Sequence, residues 1–191
     1  MATLGELEDA VRTAREAGCT ELVLLKCTSN YPSSPVNTNL SAIPHLRQLF
    51  NIEVGLSDHT MGIGAAVAAI ALGASVVEKH FTLARADGGV DSAFSLEPAE
   101  LASLVSETER AWQALGQEGY GPTEAEQKSL VFRRSIYAAA DIVEGEIFTE
   151  ANIRIVRPGD GAPPSLYLEL LGRSARRAFN CGEPITINFL L

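Results

Sequence analysis

Two histidines, His59 and His80, lie at or just beyond the carboxyl ends of two apolar segments, residues 52–56 and 75–81. Between these segments, residues 63–73 are small and apolar and predict a helix. Two strands of one sheet that are connected by a helix run parallel to each other. In α/β sheets and β/α barrels, ligands bind at the carboxyl ends of such strands. If the two strands are neighbours, both imidazoles can converge on one point and could hold a metal ion.

Alternation along each strand predicts which side chains accompany the histidines. Ser57 is predicted on the face of His59 and Glu78 on the face of His80, with the intervening residues on the opposite face. The run Ser-Asp-His does not predict a hydrolytic triad, because neighbours on alternating faces cannot adopt the geometry that a triad needs. A structural role for each histidine stays open, since two histidines without a third protein ligand are a weak metal signal.

Two polar loops follow strands and could face a ligand. Residues 28–39 follow a first apolar segment and are too long for a simple connection, which makes Ser29, Asn30 and Tyr31 candidates for ligand contacts. The alternative is that Tyr31 and the proline after it only shape a turn. Residues 84–95 form a second glycine-containing loop, which is predicted to face the substrate and contains Asp91.

The composition is that of an ordinary folded protein. Of 191 residues, 46% are hydrophobic and 20% are charged, and the net charge of −9 argues against a general nucleic-acid or anionic-membrane binder. Three cysteines without a Cys-x-x-Cys pair argue against zinc fingers and a disulfide framework. No segment has the roughly 18 consecutive apolar residues of a membrane span, and no signal-peptide pattern is present. We therefore expect a cytoplasmic protein with reduced thiols.

The chain divides into two parts of different character. A capping box at Thr3 predicts a first helix, and a later helix carries Trp112, which is expected to pack against the sheet. The predicted strands of this part are residues 21–27, 52–56 and 75–81, and the first of them is expected to be buried. Residues 117–130 lack periodicity and indicate a linker, after which short strands alternate with glycine-containing turns. The later strands are predicted at residues 133–139, 146–148, 153–156, 175–179 and 184–189.

These patterns predict an α/β domain over residues 1–120, a linker over 121–131 and a small all-β domain over 132–191. Three parallel strands cannot close a barrel that requires eight. The first domain is therefore either a small open sheet or part of a longer barrel.

Five motifs, in order along the chain, resemble the sialic acid synthase family, in the branch that makes pseudaminic acid. They are KCTSNYP at 26–32, GLSDHT at 55–60, EKHFT at 78–82, DSAFSLEP at 91–98 and RPG at 157–159. The region from residue 134 to residue 173 resembles the antifreeze-like (SAF, β-clip) domain of these enzymes. The resemblance implies the C-terminal part of a TIM (β/α)8 barrel, about three βα units, followed by a SAF domain.

For the activity, the resemblance implies condensation of phosphoenolpyruvate with an N-acetylated amino sugar, which releases phosphate and yields a nonulosonic acid. His59 and His80 match the family's metal ligands and catalytic residues, with Mn²⁺ as the expected ion and Mg²⁺ or Co²⁺ as the other candidates. Ser57 matches a phosphoenolpyruvate contact, and Ser29 matches a phosphate or carboxylate contact. No nucleic-acid or membrane partner is implied.

Three further residues are assigned by the same resemblance. Tyr31 and Asp91 match sugar contacts. Arg157 matches an arginine that the SAF domain places in the partner's site of a homodimer, where it contacts the N-acetyl group of the sugar.

The motifs of the family's first barrel strands, which hold phosphoenolpyruvate and assist proton transfer, have no counterpart in this sequence. We therefore expect a truncated chain that is inactive alone. The alternative is a non-catalytic carbohydrate- or protein-binding protein that uses the SAF domain.

Overall fold

The computed structural model describes residues 1–186, and the chain divides into two compact units. The first unit is residues 1–118, and the second begins at residue 119. Part of the predicted strand over residues 184–189 lies outside the described residues. Within the described part of the chain, no helix combines the length and apolar character needed to cross a membrane.

The first unit is a three-stranded parallel sheet with helices between its strands. Its elements in chain order are α1 (Leu4–Glu16), β1 (Val23–Cys27), α2 (Ala42–Phe50), β2 (Glu53–Asp58), α3 (Gly64–Ala71), β3 (Val77–Lys79) and α4 (Pro98–Leu115). The strand order is β1-β2-β3, and both neighbouring pairs are parallel. The predicted α/β class is therefore confirmed for this unit.

The core of the first unit lies between the central strand and the helices. Val54 and Leu56 of β2 pack with Ile43 of α2, Ala66 of α3 and Leu104 of α4. Alternation along β2 places the odd-numbered residues, which include Ser57 and His59, on the other face. The helix side of the sheet thus supplies the packing, and the opposite face is left for chemistry.

Two packing expectations for the first unit are wrong. The first strand was expected to be buried, but Val23 and Leu25 of β1 are 42% and 36% exposed, because β1 is an edge strand and only Leu24 between them packs with the helix-side cluster. Trp112 is 67% exposed instead of packing against the sheet. By contrast, the capping box is present, with the Thr3 amide donating to the Glu6 carboxylate at 2.7 Å.

Gly55 lies within β2, where a side chain has no room. A Cβ atom there would lie 2.5 Å from the carbonyl oxygen of Val76 and 2.7 Å from Cδ2 of Leu25. The Val76 oxygen also accepts the amide of Leu56 at 2.8 Å, so it cannot move away without loss of that bond. We expect Gly55→Ala to lower the free energy of unfolding by about 1–3 kcal/mol in urea denaturation.

The control for this substitution is Gly64→Ala, at the start of α3. A Cβ atom at Gly64 would meet nothing within 4 Å, and alanine favours a helix by up to about 1 kcal/mol over glycine. This variant is expected to be as stable as the wild type or slightly more stable. Equal losses for the two variants would contradict the steric explanation.

The second unit combines a short antiparallel strand pair with single bridges. A 3₁₀ helix, Glu124–Phe132, occupies much of the predicted linker, and β4 (Ser135–Ala138) then pairs with β5 (Ile153–Val156). The predicted strands at 146–148 and 175–179 are reduced to isolated bridges, Ile147 to Ser174 and Ile142 to Phe179. A short helix, α5 (Tyr167–Leu170), completes the unit.

The second unit has a hydrophobic core of its own. Its buried members come from β4, β5, α5 and the bridged segments before and after β5. They include Ile136, Phe148, Ile153, Phe179 and Ile185.

Candidate metal and substrate site

His59 and His80 lie side by side at the carboxyl ends of β2 and β3. The strand register places Ser57 opposite Glu78. His59 and His80 lie two residues further along the chain, and their ring centroids are 5.2 Å apart with the ring planes at 66°. The structure therefore brings together the two histidines whose convergence the strand pattern predicts.

Hydrogen bonding fixes the tautomer of His59. Its Nδ1 lies 3.0 Å from the carbonyl oxygen of Thr28, which can only accept, so in the neutral ring the proton is on Nδ1 and the lone pair is on Nε2. Cys27 also approaches this nitrogen, with its Sγ at 3.9 Å. His80 has an analogous neighbour, because its Nδ1 lies 3.6 Å from Oδ2 of Asp91.

This arrangement fits a divalent metal ion. Metal-binding histidines in proteins usually donate their second ring nitrogen to a carbonyl or carboxylate, and Thr28 and Asp91 offer these groups to His59 and His80. Among the described residues, no cluster of three or more His, Cys, Asp and Glu side chains suited to a metal is found. An ion held by the two imidazoles alone would keep its other coordination positions for water or substrate.

A serine and a carboxylate lie just below the histidines on the same strands. The hydroxyl of Ser57 donates to Oε1 of Glu78 at 2.6 Å, and Ser57 is buried. Strand alternation predicts the face that Glu78 occupies but assigns it no role. Glu78 is thus an acidic group of the site that sequence reasoning missed.

Two aromatic rings border the histidines. The Tyr31 ring lies 4.3 Å from that of His59, and the buried Phe94 ring lies 5.0 Å from that of His80. Tyr31 is held by its loop, because the amide of Ser33 donates to the carbonyl of His59 at 2.8 Å. Phe94 was not among the predicted site residues, although it lies within the DSAFSLEP motif.

Ser29 occupies a more exposed position on the same loop. Its hydroxyl lies 3.6 Å from Sγ of Cys27 and contacts neither histidine within hydrogen-bonding distance. A role in binding phosphate or carboxylate therefore stays a prediction for Ser29.

The loop that carries Asp91 is tied to the start of α4. The amide of Arg85 donates to Oε1 of Glu97 at 2.8 Å, and its guanidinium donates to Oε1 of Glu100 at 3.1 Å. The hydrogen bonds from Arg85 and from the Glu97 amide lower the pKa of Glu100, so this carboxylate stays ionised at neutral pH. These contacts fix both ends of the segment that brings Asp91 to His80.

Arg157 belongs to the second unit and directly follows β5. The loop after it is held by Ser135, whose hydroxyl donates to the carbonyl of Pro158 at 2.7 Å and accepts the amide of Gly161 at 2.9 Å. The Arg157 side chain itself is exposed. Its role in a partner's site stays a prediction.

Comparison with known proteins finds a family match for each part of the chain. Residues 1–120 match the NeuB family, and residues 133–191 match the SAF domain. The pseudaminic acid synthase of Campylobacter jejuni (strain 81-176) is 43% identical over 185 residues, which are 97% of this chain and 54% of that protein. The N,N'-diacetyllegionaminic acid synthase of C. jejuni (strain NCTC 11168) is 40% identical over 188 residues, which are 97% of this chain and 56% of that protein.

A solved structure shares the fold. The N-acetylneuraminic acid (sialic acid) synthetase of Leptospira borgpetersenii, crystallised with citrate, matches with a TM-score of 0.63 and 39% identity. The match covers 70% of this chain and 46% of that chain. The protein is thus of the class that joins an α/β unit to a SAF domain, and its relatives are named as synthases of sialic-type acids.

The chain belongs to the NeuB family. It spans about half the length of the curated relatives it matches.

Proposed function

We propose that this chain carries the metal-binding part of a nonulosonic acid synthase active in pseudaminic acid biosynthesis. The reaction is the condensation of phosphoenolpyruvate with an N-acetylated amino sugar, with release of phosphate. The observation that carries the proposal is the His59–His80 pair, whose rings lie 5.2 Å apart with both Nδ1 atoms facing an oxygen of another residue. The relatives named as synthases of pseudaminic, legionaminic and sialic acids support the same reaction class.

In this proposal the two imidazoles hold Mn²⁺, or Mg²⁺ or Co²⁺, through Nε2. When bound, such an ion polarises the aldehyde of the open-chain sugar as a Lewis acid. His59 is already oriented for this role, because its bond to the Thr28 carbonyl fixes both the ring and its tautomer.

The remaining side chains bind and orient the two substrates. The Ser57 hydroxyl, which donates to Glu78 in this structure, can donate to a phosphate oxygen of phosphoenolpyruvate instead. Ser29 is assigned to the phosphate or carboxylate of the same substrate. Tyr31 and Asp91, which lie beside the histidines, are assigned to the sugar.

The sheet of the first unit is proposed to be the C-terminal part of a TIM barrel. A homodimer in the cytoplasm would let Arg157 contact the N-acetyl group of a sugar in the partner's site. Because the relatives use about twice this length of chain, we propose that the chain alone does not catalyse the condensation.

Calorimetric titration of MnCl₂ into the purified chain tests the proposal. We expect one binding site, which is lost in the His59→Ala, His80→Ala double variant because both nitrogen ligands are removed. The titration is repeated with phosphoenolpyruvate present, where tighter binding is expected if the substrate completes the coordination of the ion.

The matched control is His45→Ala, which removes an exposed histidine on α2. This variant should bind Mn²⁺ as the wild type does. Absence of binding by the wild-type chain, or undiminished binding by the double variant, would contradict the proposed metal site.

A further inference from the structure

A buried ion pair joins the two strands immediately before the histidines. Nζ of Lys79 lies 2.7 Å from Oδ2 of Asp58, and the two side chains are 2% and 0% exposed. Asp58 precedes His59 and Lys79 precedes His80 in the sequence. By strand alternation, the pair lies on the face opposite to the imidazoles, so neither member is a candidate ligand.

The pair also holds the backbone around His59. The second carboxylate oxygen of Asp58 accepts the amide of Thr60 at 2.9 Å, and Nζ of Lys79 donates to the carbonyl of Thr60 at 2.6 Å. Both backbone polar groups of Thr60 are therefore bound by the ion pair. The peptide units on either side of Thr60, the first of which includes the His59 carbonyl, cannot rotate without breaking these bonds.

The same lysine ties the backbone before His80 to β2. β3 is only three residues long, and its last residue, Lys79, is paired with Asp58 in the strand register. Beyond it, the carbonyl of His80 accepts the amide of Leu96 at 2.8 Å. The backbone of His80 is thus fixed on both sides.

Stability alone does not account for a charged pair at this position. A buried ion pair recovers little net free energy, because desolvation of both charges offsets their attraction, and an apolar pair of similar size is commonly as stabilising. What an apolar pair cannot do is to bind the two backbone groups of Thr60. The effect that only the charged pair provides is therefore to fix the backbone next to His59 and His80.

We propose that Asp58 and Lys79 are positioning residues that set the separation of the two imidazoles and, through it, the affinity of the site for a divalent cation. This inference rests on the proposed metal site of His59 and His80. It adds that the affinity depends on two residues that do not touch the ion.

The test is the double variant Asp58→Asn, Lys79→Met in the full chain. Removal of both charges avoids a buried charge without a partner, so the variant is expected to fold, and circular dichroism checks this. Asparagine can still accept the Thr60 amide, so the variant removes the ion pair and the bond from Lys79 to the Thr60 carbonyl. Titration with MnCl₂ alone should then give a dissociation constant about 10- to 100-fold higher than that of the wild type, the range typical of residues that orient metal ligands.

A control that loses core packing but keeps the ion pair separates positioning from general loss of stability. Ile43→Ala removes a fully buried side chain of the helix-side core but keeps Asp58, Lys79 and both histidines, so it should leave the dissociation constant for Mn²⁺ unchanged at temperatures where the protein is folded. Equal affinities of the double variant and the wild type would overturn the inference and leave the metal site intact. Absence of Mn²⁺ binding by the wild type would overturn both.

Discussion

Replacing Lys79 with methionine should lower the free energy of unfolding of the first unit by about 3–5 kcal/mol, because it leaves the fully buried carboxylate of Asp58 without its cation. Methionine has nearly the length of lysine, so little packing is lost. The Thr60 carbonyl also loses its hydrogen-bond donor, because in the wild type the Lys79 ammonium donates to it at 2.6 Å. Urea denaturation followed by circular dichroism measures the change.

Two further variants show that the buried charge is responsible. Addition of Asp58→Asn to Lys79→Met removes that charge and should recover much of the lost stability. Arg12→Met breaks an exposed pair with Asp9 on α1 and should change the free energy of unfolding by less than about 1 kcal/mol. A Lys79→Met variant that unfolds at the wild-type urea concentration would show that the pair is not needed for folding.

The arrangement of the central site follows from short-range rules applied to the sequence. Parallel strands side by side, with side chains on alternating faces, place Ser57 with Glu78 and His59 with His80. The structure shows a 2.6 Å hydrogen bond in the first pair and adjacent rings in the second. Alternation succeeds here because β2 and β3 are directly paired in register.

Contacts made through loops could not be predicted in the same way. Phe94 reaches His80 because the loop between β3 and α4 folds back and is tied down by Arg85. No periodicity of the sequence specifies such a path. The resemblance to the sialic acid synthase family covers the motif of this loop and assigns a role to Asp91, but it assigns none to Phe94.

Burial was the least predictable property. Trp112 continues the apolar stripe of α4, and this spacing is typical of a core position. In the structure, Leu104 of this helix is buried, whereas Trp112 and Leu115 near its end are exposed. An amphipathic pattern therefore identifies the face of a helix but not how far along that face the packing extends.

In the second unit, short strands were predicted where the structure has single bridges. The segments at residues 146–148 and 175–179 are short stretches with apolar residues between turns, and they do reach partners through Ile147 and Phe179. Glycine-containing turns separate them at short intervals, so no continuous ladder can form. The sequence therefore predicted which segments contact a partner, but not that each contact is a single bridge instead of a strand.

Replacing Phe148 with alanine should destabilise the second unit by about 3–5 kcal/mol, since this ring is among the largest fully buried side chains and packs on Phe179 with centroids 6.1 Å apart. A loss of this size is a large part of the 5–15 kcal/mol typical of a whole domain. We expect the unit that carries Arg157 to unfold at much lower urea concentration, as near-ultraviolet circular dichroism can detect.

The matched control is Phe132→Ala, which truncates an exposed ring of the same unit and should change the stability by no more than about 0.5 kcal/mol. Each unit has its own core cluster, so Phe148→Ala should leave Mn²⁺ binding by His59 and His80 unchanged in the same chain. Loss of Mn²⁺ binding in this variant would mean that the second unit supports the metal site, and the site could then not be assigned to the first unit alone. Retained binding would place the proposed metal chemistry in the first unit and leave the proposed contact of Arg157 as the contribution of the SAF domain.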